Sequence, residues 1–202
     1  MFDDDQLKND LTYQRDGSYY FNTLKNMPYM PYLCISHLMN NNENIWKLLK
    51  YTEADAWQKD NLTNEEKSSM IFKGVPPETD YRVFFDEGQL DAWTLQATLL
   101  RITPVTVIPM NQVQSQLYMS FEVLSHYDIN HMSNYSTRTD YIIQQILQTF
   151  NGIDVEGIGR FVFDINSFPG CKIVLSGQKP YSGKTLIMGV YYSSDELLDD
   201  NE

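Results

Sequence analysis

An α+β body, in which one long amphipathic helix covers a mostly antiparallel sheet behind short helices and an extended N-terminal arm, is predicted by three patterns. Leu117, Met119, Phe121 and Val123 alternate with Tyr118, Ser120 and Glu122, the period-2 signature of a half-buried strand. Ile142, Ile143, Ile146, Leu147 and Phe150 recur at helical spacing, opposite Gln144, Gln145 and Gln148. After that helix, strand candidates follow one another across short turn segments, which favours antiparallel neighbours.

Taken from the N-terminus, residues 1–43 read as an extended Tyr/Asn-rich arm. Tyr13, Tyr19, Tyr20, Tyr29 and Tyr32 interleave with Asn22, Asn26, Met27 and Met30, while Pro28 and Pro31 remove backbone donors and disfavour helix in the residues before them. Asn26 to Tyr32 is therefore expected to be extended. Such an arm has little with which to build a core of its own, so it must lie on the body or on another subunit. Tyr19, Tyr20, Tyr29 and Tyr32, with Trp46, are the candidate subunit contacts.

The body spans residues 44–192. Ile45, Trp46, Leu48 and Leu49 make one apolar face of a short helix, with Lys47 and Lys50 outside. Thr63 and Glu66 form a capping-box pattern for a second helix that carries Met70 and Ile71 and is stopped by Gly74 and Pro76-Pro77. Helices of two to three turns are unstable alone in water, so both must dock on something larger. From Tyr81 the β-period takes over, with strands predicted at Arg82 to Phe85, Leu99 to Ile108 and Leu117 to Ser125. Pro104 places its strand at an edge or a bulge. Ser136 or Thr137 caps the main helix and Asn151-Gly152 ends it. Three further strands are expected at Arg160 to Ile165, Cys171 to Ser176 and Thr185 to Tyr192, separated by turn residues. Residues 193–202 form an acidic tail.

At 202 residues the chain is long enough to bury a single core. Its net charge of −12 is unevenly placed. Residues 1–16 hold five acids against Lys8 and Arg15, and residues 193–202 hold five acids and no base, so the ends contribute −3 and −5. A basic nucleic-acid footprint is absent. No run approaches the roughly 18 apolar residues of a membrane helix, and Met1-Phe2-Asp3-Asp4-Asp5 lacks the basic start of a signal peptide, so a soluble, unexported protein is expected. Cys34 and Cys171 are too few and too distant for a disulfide framework and read as buried small hydrophobes.

Each motif that suggests chemistry also has a simpler structural reading. Gly177-Gln178-Lys179-Pro180-Tyr181-Ser182-Gly183-Lys184-Thr185 ends like a phosphate-binding loop. It has five residues between its glycines rather than four, a proline in the cradle, and a strand where a helix is required; it reads as a hairpin turn. His126 and His131 flank Asp128 in a polar connection and would share a metal only if the loop folded back. Cys34 and His37 lack a third member or an oxyanion site. Asp86, Glu87 and Asp91 form an acidic group with Arg82 as the nearest cation, which more simply pairs with them. Asn61-Leu62-Thr63 and Asn134-Tyr135-Ser136 match glycosylation sequons but stand where helix caps are wanted. No catalytic residue, cofactor site or metal site is assigned, and no enzymatic activity is expected.

The order of elements between about residues 99 and 192 resembles the neck and tail-completion proteins of tailed bacteriophages, the head–tail connector and tail-terminator group. The resemblance is carried by the strand pair Leu99 to Ile108 and Leu117 to Ser125, the helix Arg138 to Phe150 closed by Asn151-Gly152, and Val155-Glu156-Gly157-Ile158-Gly159-Arg160-Phe161 leading into the last strands. Asn44 to Tyr51 followed by Leu62 to Lys67 also resembles phage structural proteins. The resemblance implies a virion protein that forms a homo-oligomeric ring between the portal, adaptor or tail-tube proteins, assembled in the host cytoplasm, with no membrane contact. DNA would pass through the ring without specific binding, and the acids Asp195, Glu196, Asp199 and Asp200 would face the channel and repel phosphates. Two other classes compete. An acidic DNA mimic or regulatory interaction protein should carry its charge over the body, whereas eight of the twelve net charges lie at the ends. A small hydrolase should show a nucleophile, a base and an orienting residue together.

Overall fold

The computed structural model describes residues 27–74, 81–85, 95–110 and 114–193. The chain begins there with a 3-10 turn at Met27–Tyr29. Four α-helices follow in order among the described residues: α1 (Met30–Asn41), α2 (Glu43–Lys50), α3 (Asn64–Ser69) and α4 (Arg138–Phe150). The strands are β1 (Val83–Phe84), β2 (Thr98–Pro109), β3 (Gln114–His126), β4 (Asp154–Val155), β5 (Gly159–Val162), β6 (Lys172–Ser176) and β7 (Tyr181–Ser193). They form one curled mixed sheet in the order β1-β2-β3-β7-β5-β4, with β6 joined to β7 off this path. All pairings between named strands are antiparallel except β1 with β2, which is parallel.

The register explains where the core sits. Ile102 lies opposite Phe121, which lies opposite Leu186; Met119 faces Met188 and Leu117 faces Val190. Because side chains alternate across a strand, these residues share one face of the sheet. Against that face pack Cys34, Ile35 and Leu38 of α1, Ile45, Trp46 and Leu48 of α2, and Ile142, Ile146 and Phe150 of α4, all fully buried in a single cluster. Phe121, Phe150 and Phe161 meet with ring centroids 4.8 to 6.2 Å apart.

Single-helix cover is therefore corrected. α4 has 13 residues and α1 has 12, and with α2 they share the apolar face. The extended reading of Asn26 to Tyr32, and with it an arm running to residue 43, is also corrected, because α1 begins at Met30. Pro31 occupies the first turn of α1, where the missing N–H has no intrahelical partner to lose and the fixed φ suits the helix. The proline starts this helix rather than preventing it. Lys47, expected outside, is buried along α2.

Elsewhere the local chemistry matches the sequence. Thr63 accepts from the Glu66 N–H at 3.2 Å while the Glu66 carboxylate accepts from the Thr63 N–H at 2.8 Å, a complete capping box. α3 nevertheless stops at Met70, and Ile71 leaves it to bridge Val83. Thr137, not Ser136, caps α4, accepting from the Asp140 N–H at 3.2 Å. Pro104 sits at a register shift in β2. The two-residue strand β4 carries no pattern long enough to be read in advance.

Candidate assembly surface

The residues that suggested chemistry are scattered by the fold. His126 lies at the end of β3, its Nδ1 accepting from the Asp128 N–H at 3.3 Å and its ring edge-on to Tyr181. His131 bridges to Thr137 through the backbone. Among the described residues, no three His, Cys, Asp or Glu side chains gather to hold a metal ion. Cys34 is buried in α1, and burial pushes its thiol far above the usual range. His37 is tilted against Phe150, with centroids 5.2 Å apart. Cys171 accepts from the Gly189 N–H at 3.2 Å on the opposite face of the sheet. Gly177 to Pro180 turn the chain from β6 into β7, and Thr185 lies within β7 rather than at a helix start. Asp86, Glu87 and Asp91 lie outside the described residues. A shallow recess lined by Lys50, Glu66, Ser69, Met70 and Arg82 holds about 180 Å³, short of the roughly 300 Å³ at which small-molecule sites begin. Within it Lys50 bonds Glu66, which raises the lysine and lowers the carboxylate from their ordinary values.

The most demanding side chain in the molecule is one that the sequence did not single out. Arg138 opens α4 and is fully buried, without a carboxylate in hydrogen-bonding contact. Its Nε donates to Ile129 O at 3.1 Å, Nη1 to Leu48 O at 2.8 Å and to Tyr51 O, and Nη2 to Thr52 O at 3.1 Å and Glu53 O at 2.9 Å. All five guanidinium N–H groups thus meet backbone carbonyls, four of them at or just past the C-terminus of α2. Those carbonyls have no helical partner, and the helix dipole makes that end negative. Burial pushes the guanidinium down to about 10, with the Glu53 charge opposing it, so it stays protonated at neutral pH. Arg138 therefore fixes α2 to α4. Lys67 does similar work at α1, donating to Met39 O at 2.9 Å and pairing with Glu43.

The sheet is less complete at two edges. β3 occupies one side of β7 along its whole length, so β5 and β6 share the other, end to end. β6 pairs with β7 alone among the described residues. Ile173, Val174 and Leu175 of β6 are all exposed, Leu175 at 84%. At the opposite end, β1 covers only Leu100 and Arg101 of β2, and Val105, Ile108 and Met110 beyond it are exposed.

Of the candidate contacts, Trp46 is withdrawn. Its side chain is fully buried and its indole N–H donates to Leu38 O at 3.2 Å, so it packs this chain's own core. Tyr29 and Tyr32 are half-buried at the start of the helical layer. Tyr19 and Tyr20, and the acids Asp195, Glu196, Asp199 and Asp200, lie outside the described residues.

The YomW family model matches residues 42–190, more than half of the chain. The chain belongs to the YomW family. YomW is a family from a Bacillus phage SPBc2 region, which makes this a phage-associated protein. The span matched by YomW runs from the cap of α2 through Val190 of β7, so it includes Arg138 and the β6 edge and omits the leader and the acidic tail. A search of curated proteins finds no match. No helix among the described residues is long and apolar enough to cross a membrane.

Proposed function

We propose that this YomW-family chain is a structural protein of the phage particle that forms a homo-oligomeric ring in the head–tail connector, joining portal and tail around the DNA channel. The observation that carries this reading is the β6 edge. A sheet backed by a buried helical layer ends in a strand whose three consecutive apolar residues are exposed. Edges of this kind pair with other chains unless something blunts or covers them. A ring requires a heterologous contact, one surface of each copy meeting a different surface of the next, and an edge strand supplies one half of such a contact. The acidic tail supports the reading from the electrostatic side. Asp195, Glu196, Asp199 and Asp200 follow directly on β7, and placed toward the channel they would repel DNA phosphates and let the genome slide.

Native mass spectrometry of the purified chain, with quantitation of the chain in purified particles, tests this. The expected result is one discrete oligomer and a copy number per particle equal to its order. A chain missing from particles, or present outside any such stoichiometry, would overturn the connector reading.

A further inference from the structure

The β6 edge places a specific demand on whatever covers it. Ile173 and Leu175 lie opposite Leu186 and Lys184 and share the helix-bearing face, while Val174, opposite Thr185, lies on the other. Apolar surface is thus open on both faces of one short strand. A covering strand must bring apolar side chains at successive positions, because alternation would serve only one face.

That demand is met at one place in the leader. Ser18-Tyr19-Tyr20-Phe21-Asn22-Thr23 holds three consecutive aromatic residues of high strand preference, with Tyr19 and Phe21 falling on one face of a strand and Tyr20 on the other. The charges agree as well. Between Asp164 and Asp195 the chain contains no acid, and Lys172, Lys179 and Lys184 give the β6–β7 hairpin a charge of +3; residues 1–16 carry −3. Lys172 and Lys179 are exposed at the two ends of β6, while Lys184 is held by Asp140. Whichever way the added strand runs, Asp16 falls beside one of the two exposed lysines.

We infer that residues 18–23 of a second copy add to β6 as a sheet strand, with the acidic residues before them held by Lys172 and Lys179. Main-chain hydrogen bonds to the open edge supply affinity, and the aromatics on Ile173, Val174 and Leu175 supply register. The inference rests on the ring reading for the origin of the strand. A leader that reaches the next copy's edge, repeated around an axis, is the heterologous contact a ring requires.

Replacing Tyr20 by the photo-crosslinking aromatic p-benzoylphenylalanine in the full chain tests it. Light and isotopically heavy copies are mixed before assembly and irradiated, and the cross-linked peptides are sequenced while the oligomer mass is measured on the same sample. The expected product joins position 20 to residues 172–179 in light–heavy pairs at statistical proportion, and it is lost in L175D, whose exposed position leaves the fold intact. Cross-links from position 20 to another surface within an intact oligomer, such as the open part of β2, would overturn the strand addition and leave the ring standing. Same-label pairs alone, from a sample that weighs as a monomer, would overturn both.

Discussion

The junction of α2 with α4 and the edge at β6 lie on the same sheet and differ in how far they are finished. At the junction every donor of a buried guanidinium has an acceptor, and Leu48 and Ile129 beside it are buried. At the edge, five residues hold to the sheet on one side only among the described residues, and three large apolar side chains are exposed. One region is closed by the chain itself, at the cost of burying a charge. The other is left for something else to close. The contrast teaches that the chain satisfies its own buried charge in the helical layer, and that on the proposed reading the β6 end is where association energy is to be gained.

The largest effect is expected from breaking the finished side. Arg138→Met removes the buried charge and orphans the carbonyls of Leu48, Tyr51, Thr52 and Ile129 together, while Glu53 O keeps the Ala56 N–H. Loss of a buried charged partner costs about 3–5 kcal/mol, and urea unfolding of the variant should show a loss of that size or failure to fold. Arg138→Lys should recover only part of it, since an ammonium has three donors for five acceptors. Equal stability for all three proteins would mean that Arg138 does not fix α2 to α4.

A smaller loss is expected on the sheet's outer face. Phe168 is fully buried there, edge-on to Tyr118 at 5.6 Å and to Tyr191 at 4.6 Å. It lies directly over Gly189, where an added Cβ would come within 2.1 Å of the ring. Gly189→Ala should therefore displace the ring and cost about 1–3 kcal/mol, read as a lowered melting temperature with a changed near-ultraviolet circular dichroism of the tyrosines.

Much of this architecture was legible because it rests on local rules. The alternation from Leu117 to Val123, the Thr63–Glu66 box and the stripe of α4 each depend on residues close in sequence, and each element formed where its pattern stood. What escaped reading depends on distant partners. α1 was hidden because Pro28 and Pro31 dominate its local signal, and only the docking of Cys34, Ile35 and Leu38 on the core explains why a helix is worth forming. Arg138 looked like any polar residue in a first helical turn, since four of its five acceptors lie 85 to 90 positions away, in the last turn of α2 and the loop after it. Trp46 looked adhesive because aromatic residues serve interfaces and cores alike. The β6 edge was legible as a strand but not as an edge, because pairing order is a property of the whole sheet.

The helix caps give the next, smaller tests. Thr63→Ala removes one arm of the capping box and should cost about 1 kcal/mol in thermal or urea unfolding. Asp140, at the start of α4, is pushed up by burial, yet bonds from Lys184 and Thr137 outweigh this and hold it below its ordinary 3.8. A carboxylate lowered on folding contributes stability above its unfolded value and loses it as pH falls through the folded one. Asp140→Asn should therefore cost about 0.5 kcal/mol at neutral pH, the pair being half exposed. The gap between the two proteins should close as unfolding is measured below pH 3.8.

The smallest effect on stability sharpens the comparison most. Leu175 is 84% exposed, so replacing it with aspartate removes almost no buried surface, and surface changes of this kind usually stay within about 0.5 kcal/mol. The unfolding midpoint of L175D should match the parent's at concentrations where the parent is dissociated. Its oligomerisation should not, because a charge on an apolar edge is a recurrent means by which proteins prevent strand addition. Sedimentation of parent and variant at equal concentration reads that difference directly. If L175D keeps both the midpoint and the sedimentation coefficient of the parent, the open strand is ordinary surface and the junction at Arg138 has nothing to support. If it keeps the midpoint and loses the oligomer, the cost of assembly lies wholly at the edge that the fold leaves unfinished.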